Sequence, residues 1–264
     1  MSRYENTFAG LKKEGRIGFV PFWMIGDPDI ERSFEVISRI AKHADVLELG
    51  IPFSDPLADG PTIQASVNRA LETGATTDKC LGVVKRLRAE FPEKPIGLLV
   101  YFNLILNFNG HEGDESIKAF FETAKDSGVD SVLIPELPVE EVALLEDVAS
   151  ETEIDLIFLV STNTSADRVE QILKKSNGFL YAISTPSITG AKTDISSKTL
   201  EMVKNLKSQT DLPICVGFGI SSPEHIANLK SAGADGAIIG SKLFEFRDDL
   251  EALERFCEKC REVT

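Results

Sequence analysis

The sequence has 264 residues, 42% of them hydrophobic and 27% charged, an ordinary globular composition with ample material for a core. A net charge of -14 excludes the basic surface that nonspecific binding to nucleic acid or to an anionic membrane requires. Length alone fits one large barrel or two small domains.

Ser2-Arg3-Tyr4-Glu5 spells a helix capping box, after which Tyr4, Phe8 and Leu11 share one helix face. No continuous apolar block of the signal-peptide kind follows, and the longest apolar runs, such as Ile96 to Tyr101, are too short to span a bilayer. The expected location is therefore cytoplasmic. Gly15 marks the end of this first helix. Ile17 to Phe22 reads as a short buried strand, Gly26-Asp27-Pro28 as a loop, and Ile30 to Ala41 as a helix with Phe34, Ile37, Ile40 and Ala41 on its apolar stripe. The second strand is Asp45 to Leu49.

Behind it lies the most unusual stretch of the chain. Glu48 is a carboxylate inside an apolar run, which is costly unless something uses it. The turn residues Gly50, Pro52, Ser54, Asp55, Pro56, Asp59 and Gly60 then lead to Pro61, a favoured first helical residue. Two helices follow, Thr62 to Leu71 and Thr77 to Phe91.

Pro95 to Tyr101 is the third strand, Ser116 to Ala124 a helix and Ser131 to Ile134 the fourth strand. Pro138 to Ser150 is expected to be one helix, opened by proline and carrying early glutamates that suit its dipole. Ile154 to Val160 is the fifth strand, and Ser165 to Lys174 a helix. The remaining strands are Phe179 to Ile183, Pro213 to Val216 and Gly236 to Ile239, separated by helices Ser196 to Leu206 and Ser222 to Ala232. A last helix, expected to start at Ser241, runs to about Cys260.

Eight nearly continuous apolar strands alternating with helices imply a parallel sheet covered on both faces. With no linker or low-complexity break, the reading is a single-domain α/β protein over 1–264. Its expected architecture is a (β/α)8 TIM barrel with an extra N-terminal helix. An open doubly wound sheet is the alternative, but the Gly-x-Gly-x-x-Gly turn that would support it is absent.

In a barrel, chemistry belongs at the C-terminal ends of the strands. Alternation along the second strand puts Leu47 and Leu49 toward the helices and Glu48 into the barrel mouth, where partial desolvation raises its pKa toward neutrality. The alternative is a glutamate paired with a basic residue of a neighbouring loop. Asp59 is either a ligand of the site or a turn and cap residue, and spacing alone does not say whether it or Asp55 reaches a ligand. Gly217-Phe218-Gly219-Ile220-Ser221 after the seventh strand and Gly240-Ser241 after the eighth permit close backbone approach, and together they point to a phosphate site. Tyr181 precedes the polar loop Ser184 to Thr193, a lid or simply a connection, and Tyr101 and Asn103 could add a polar wall.

Cys80 and Cys215 fall in apolar-periodic stretches. Cys257-x-x-Cys260 lies in a charged helical stretch, without the strand-to-helix setting of a redox motif or a second pair for zinc. His43, His111 and His225 show no ligand spacing, so no metal is expected.

Leu47-Glu48-Leu49-Gly50-Ile51-Pro52-Phe53-Ser54-Asp55-Pro56-Leu57-Ala58-Asp59-Gly60-Pro61-Thr62-Ile63-Gln64 closely resembles the signature of the tryptophan synthase alpha chain family. The likeness extends to Phe19-Val20-Pro21-Phe22 with Gly26-Asp27-Pro28, Gly97-Leu98-Leu99 to Asn103, Pro138-Val139-Glu140-Glu141, Thr189-Gly190, the Gly217 to Ser221 segment and Gly240-Ser241. The resemblance implies a TIM-barrel lyase that cleaves indole-3-glycerol phosphate by a retro-aldol reaction to indole and glyceraldehyde 3-phosphate in tryptophan biosynthesis.

It further implies that Glu48 is the general acid/base and that Asp59 faces the indole N–H. Phe22, Tyr101, Tyr181, Thr189 and Phe218 would bind the substrate, and Gly190, Gly219, Gly240 and Ser241 its phosphate. No cofactor is implied for this chain. Pyridoxal phosphate would belong to a beta-chain partner in an α2β2 heterotetramer, contacted through the loop Pro52 to Asp59.

The lid departs from the family pattern Ser-Arg-x-Gly-Val-Thr-Gly: here Thr185-Pro186-Ser187-Ile188 follows Ser184, losing an arginine and a glycine and gaining a proline. Pro135 stands where the family has a small residue of the indole pocket, with Glu136 after it where aspartate is usual. A noncatalytic subunit that activates a beta chain, or another phosphate-binding barrel such as a biosynthetic isomerase, are the competing readings; the segment from Glu48 to Asp59 argues against both.

Overall fold

The computed structural model describes residues 1–184 and 195–264. Helix α1 (Arg3–Glu14) opens with the capping box formed: Ser2 Oγ accepts from Glu5 N at 3.2 Å and the Glu5 carboxylate from Ser2 N at 2.7 Å. The chain then runs β1 (Gly18–Met24), α2 (Ile30–Ala41), β2 (Leu47–Gly50), α3 (Pro61–Glu72), α4 (Thr77–Glu90), β3 (Ile96–Leu99), α5 (Phe102–Leu106), α6 (Gly113–Ser127) and β4 (Ser131–Leu133). It continues through α7 (Ala143–Thr152), β5 (Asp155–Ile157), β6 (Leu159–Ser161), α8 (Ala166–Lys175), β7 (Leu180–Ile183), α9 (Ser197–Lys207), β8 (Ile214–Gly217), α10 (Pro223–Ser231), β9 (Gly236–Ile239) and α11 (Leu250–Glu262).

Every paired strand is parallel, in the order β5-β4-β3-β2-β1-β9-β8-β7-β6. The two ends of that order are consecutive in the chain. At Phe158 the strand leaves β4 and takes up β7, so the expected fifth strand serves in two pieces and closes a (β/α)8 barrel. The open doubly wound sheet is thereby excluded. All residues of β1, β2, β8 and β9 are buried, which is why these strands read as continuous apolar runs.

Two expectations are corrected and one element is added. The helix expected over Pro138 to Ser150 begins as a separate 3-10 turn, Val139–Glu141, before α7. The short α5 follows Tyr101, where five residues are too few to show a period. The last helix does not start at Ser241: a 3-10 turn spans Leu243–Phe246, and Asp249 then caps α11 by accepting from Ala252 N at 2.9 Å. The capping carboxylate, rather than the apolar spacing of Leu243 and Phe244, sets where that helix begins.

Two arrangements position the site. At the N-terminal end of the barrel, α1 is pinned by Arg3, which donates to Asp130 at 2.8 Å and to the Pro92 carbonyl at 2.7 Å. This seats Tyr4, fully buried, with its hydroxyl 2.8 Å from Ser131 Oγ in β4 and its ring 5.5 Å from that of Phe179. At the opposite end, Arg69 of α3 donates twice to the buried Asp27 carboxylate, both at 2.7 Å. Asp27 precedes a cis peptide to Pro28, so this clamp joins the β1–α2 loop to the helix that follows Asp59.

All four cysteines are buried and free. Among the described residues no helix is long and apolar enough to cross a membrane, and no group of three His, Cys, Asp or Glu residues is arranged to hold a metal ion.

Candidate functional site

The C-terminal ends of the strands surround a cavity of about 590 Å³. Of the side chains and glycines singled out in the sequence, Phe22, Asp59, Tyr181, Phe218, Gly219, Gly240 and Ser241 all line it. Its lining combines apolar side chains, among them Phe22, Leu99, Leu133, Pro135, Leu159 and Tyr181, with Gly219, Ser221, Gly240, Ser241 and Lys242. An apolar cavity with glycines, a serine pair and one lysine in its wall suits an aromatic ligand bearing an anionic group.

Asp59 stands on the wall where the loop after β2 turns into α3. The Tyr101 hydroxyl donates to Asp59 Oδ2 at 3.0 Å and accepts from Ala58 N at 3.0 Å. Burial raises the Asp59 pKa, and the Tyr101 hydrogen bond opposes that rise. Tyr101 does not itself line the cavity. It is buried, stacked on Phe53 with ring centres 5.1 Å apart, and it holds the wall that carries Asp59.

Glu48 points into the barrel but not into the mouth. It is 2% exposed and is not among the residues that line the cavity. In register it stands beside Phe22, which lines the cavity, and beside Gly97, two residues before the lining residue Leu99. The reason is space: a methyl on Gly97 would meet Glu48 Oε1 and Ser131 Oγ, so the missing side chain makes the niche in which the carboxylate rests. Oε1 has no hydrogen-bond partner there. Burial pushes the Glu48 pKa up to about 8, with the Tyr4 hydroxyl below opposing it. The expected upward shift is present, although its setting is the barrel interior rather than the mouth.

Tyr181 fits against the bare backbone of Gly217, where a methyl would come 2.2 Å from its hydroxyl. Its ring meets Phe218 edge-on, centres 6.1 Å apart. Phe218 and Gly219 both adopt left-handed backbone, φ 68° and 71°; for phenylalanine this is unusual. The Ser184 hydroxyl donates to the Phe218 carbonyl, tying the end of β7 to this loop. Thr189, Gly190 and the rest of the expected lid, 185–194, lie outside the described residues.

Sequence reasoning passed over Gly97, Ser131 and the pair Lys242 and Glu245. The first two become neighbours of Glu48 only through strand register, which no local pattern announces. Lys242 carried a signal, a cation directly after Gly240-Ser241, but it was masked by the reading of that segment as a helix start.

The family profile of the tryptophan synthase alpha chain matches residues 8–263. The chain is 43% identical to the tryptophan synthase alpha chain of Corynebacterium glutamicum over 245 residues, covering 92% of this chain and 85% of that one. Against the Methanothermobacter thermautotrophicus alpha chain, identity is 43% over 228 residues, covering 86% and 82%. Among solved structures, it superposes on a tryptophan synthase complex from Pyrococcus furiosus with a TM-score of 0.85 at 33% identity, covering 92% of this chain and 97% of that chain. For the Legionella pneumophila alpha subunit the TM-score is 0.87 at 32% identity, covering 100% and 98%.

Proposed function

The chain belongs to the tryptophan synthase alpha chain family, and we propose on that footing that Glu48 is the general acid/base and Asp59 the anchor of the indole N–H. The family consists of lyases that cleave indole-3-glycerol phosphate to indole and glyceraldehyde 3-phosphate in tryptophan biosynthesis. The observation that carries the assignment is a buried carboxylate with a pKa pushed up to about 8 and an unpartnered oxygen, paired in register with Phe22 of an apolar cavity whose wall bears a second carboxylate. A group that titrates close to neutrality can both give and take a proton.

Cleavage needs indole C3 protonated, so that the ring accepts the electrons of the breaking bond, and the neighbouring hydroxyl deprotonated as it becomes the aldehyde. Glu48 serves both transfers. To do so it turns about its side-chain torsions from the Gly97 niche toward the cavity. Ionised Asp59 stabilises the positive charge that develops at the indole nitrogen, and Tyr101 fixes its orientation. Phe22, Tyr181 and Phe218 enclose the ring. The phosphate lies at Gly219, Gly240 and Ser241, with Gly190 as a further phosphate contact and Thr189 as a substrate contact, both outside the described residues.

The chemistry calls for no metal or organic cofactor in this chain. Its partner is a tryptophan synthase beta chain, which would carry the pyridoxal phosphate in an α2β2 assembly. The loop Pro52 to Asp59, with Leu57 88% exposed, is the surface offered to it. The whole chain acts as one domain in the cytoplasm.

The test is indole release from indole-3-glycerol phosphate by the purified chain, alone and with a beta chain. Slow release alone and much faster release with the partner is expected. If no indole appears even with the partner, the chain is an activating subunit and not a lyase.

A further inference from the structure

The substrate brings a phosphate dianion to a protein whose net charge is -14, so the local cation matters. Among the described residues, Lys242 is the one basic side chain lining the cavity. It follows Gly240 and Ser241 directly in the chain and shares the cavity lining with Gly219. Its ammonium is 2.5 Å from Glu245 Oε2, three residues on, and 5.4 Å from the centre of the Phe246 ring. Glu245 is more than half exposed and also lines the cavity.

A lysine–glutamate pair three residues apart with its carboxylate in solvent is a weak interaction, readily exchanged for another. A phosphate held by backbone N–H groups and a serine hydroxyl offers that ammonium a stronger partner, with two negative charges and three acceptor oxygens. A lysine reaches such a group as a flexible point charge and needs no fixed fork geometry.

We propose that Lys242 binds the substrate phosphate and that Glu245 competes with the phosphate for the same ammonium. The proposal rests on the reading of Gly219, Gly240 and Ser241 as the phosphate seat, and it adds a charged pair that tunes affinity there. Because the phosphate is remote from the bond that breaks, Lys242 contributes to ground state and transition state alike. Its loss therefore shows in KM, not in kcat.

The experiment is calorimetric titration of glycerol 3-phosphate, a non-reacting probe, into the full-length chain and its variants, followed by steady-state kinetics with indole-3-glycerol phosphate. Lys242→Met should weaken probe binding about tenfold, the loss expected for one charge-assisted hydrogen bond. It should also raise KM by a similar factor while kcat stays near wild type. Glu245→Gln should bind the probe about threefold more tightly, and Lys242→Arg should restore most of the affinity. The wild-type affinity should fall with added salt more steeply than that of Lys242→Met.

Ser241→Asp, which puts a negative charge in the seat itself, separates the two ideas. If it abolishes probe binding while Lys242→Met and Glu245→Gln both match wild type, the phosphate seat stands and the role of Lys242 is refuted. If Ser241→Asp binds the probe as wild type does, the phosphate sits elsewhere and both fall.

Discussion

The Glu48 carboxylate fills the space that a side chain on Gly97 would claim: a methyl there would stand 2.2 Å from Oε1 and 2.7 Å from Ser131 Oγ. The obstructing atom is the far end of a flexible side chain, so Gly97→Ala should fold and move the carboxylate instead. Displaced toward the cavity, Glu48 gains hydration and its pKa falls from about 8 toward the ordinary carboxylate range. The pH profile of kcat/KM for indole release should shift to the acid side in this variant; a profile matching wild type would refute the niche.

Glu48→Gln should lower kcat by at least about two orders of magnitude, the usual loss for a general acid/base. Stability should move the other way. The folded-state pKa of Glu48 is raised by burial, so folding favours the protonated form. The resulting contribution is fully present below the unfolded pKa and is lost as pH rises through about 8. Glutamine removes that dependence. Denaturant unfolding at pH 5 and pH 9 should show wild type losing roughly 3–6 kcal/mol relative to Glu48→Gln across the interval. Parallel curves for the two proteins would mean that the group does not titrate in this range.

Tyr101→Phe should act on catalysis through Asp59. It removes the hydroxyl that donates to Oδ2 and accepts from Ala58 N. Asp59 then loses the interaction that opposes its upward shift, so its pKa rises further and the ionised fraction falls at mildly acid pH. We expect kcat/KM to drop about tenfold near neutrality, with the acid limb of the profile moved to higher pH. A uniform drop at all pH values would point to lost packing on Phe53 instead.

The clamp between Arg69 and Asp27 should be asymmetric. Asp27 is fully buried while the Arg69 side chain is 30% exposed. Arg69→Met strands a buried carboxylate, at a cost of roughly 3–5 kcal/mol. Asp27→Asn leaves a guanidinium that water can reach, at a cost of about 1–2 kcal/mol. Thermal melts should therefore place Arg69→Met well below Asp27→Asn, and the reverse order would refute the argument.

The strands were legible because parallel strands covered on both faces leave unbroken apolar runs, as at Ile96 to Leu99 and Gly236 to Ile239. Boundaries set by caps were equally plain: Ser2, Gly15 and Pro61 each carry a local physical instruction. What could not be read depends on which residues become neighbours across the barrel. Glu48 was conspicuous as a charge in an apolar strand, but that it would rest against Gly97 and Ser131 follows from register. Tyr101 was recognisable as polar and near the mouth; that its hydroxyl serves Asp59 depends on the path of a loop 42 residues away. Lys242 was hidden by the apolar residues after it, which imitate a helix start.

Tyr4, seated beneath the barrel by the Arg3 anchor, brings the amino-terminal helix into contact with the surroundings of Glu48. Its side chain is fully buried and fills the floor of the barrel. With it in place the interior around Glu48 stays a poor solvent for charge, and the glutamate's affinity for protons follows from that dryness. A wet barrel floor would return Glu48 to the behaviour of a surface carboxylate without altering any residue of the cavity. The proton affinity of Glu48 is thus set in part by packing at the far end of the molecule.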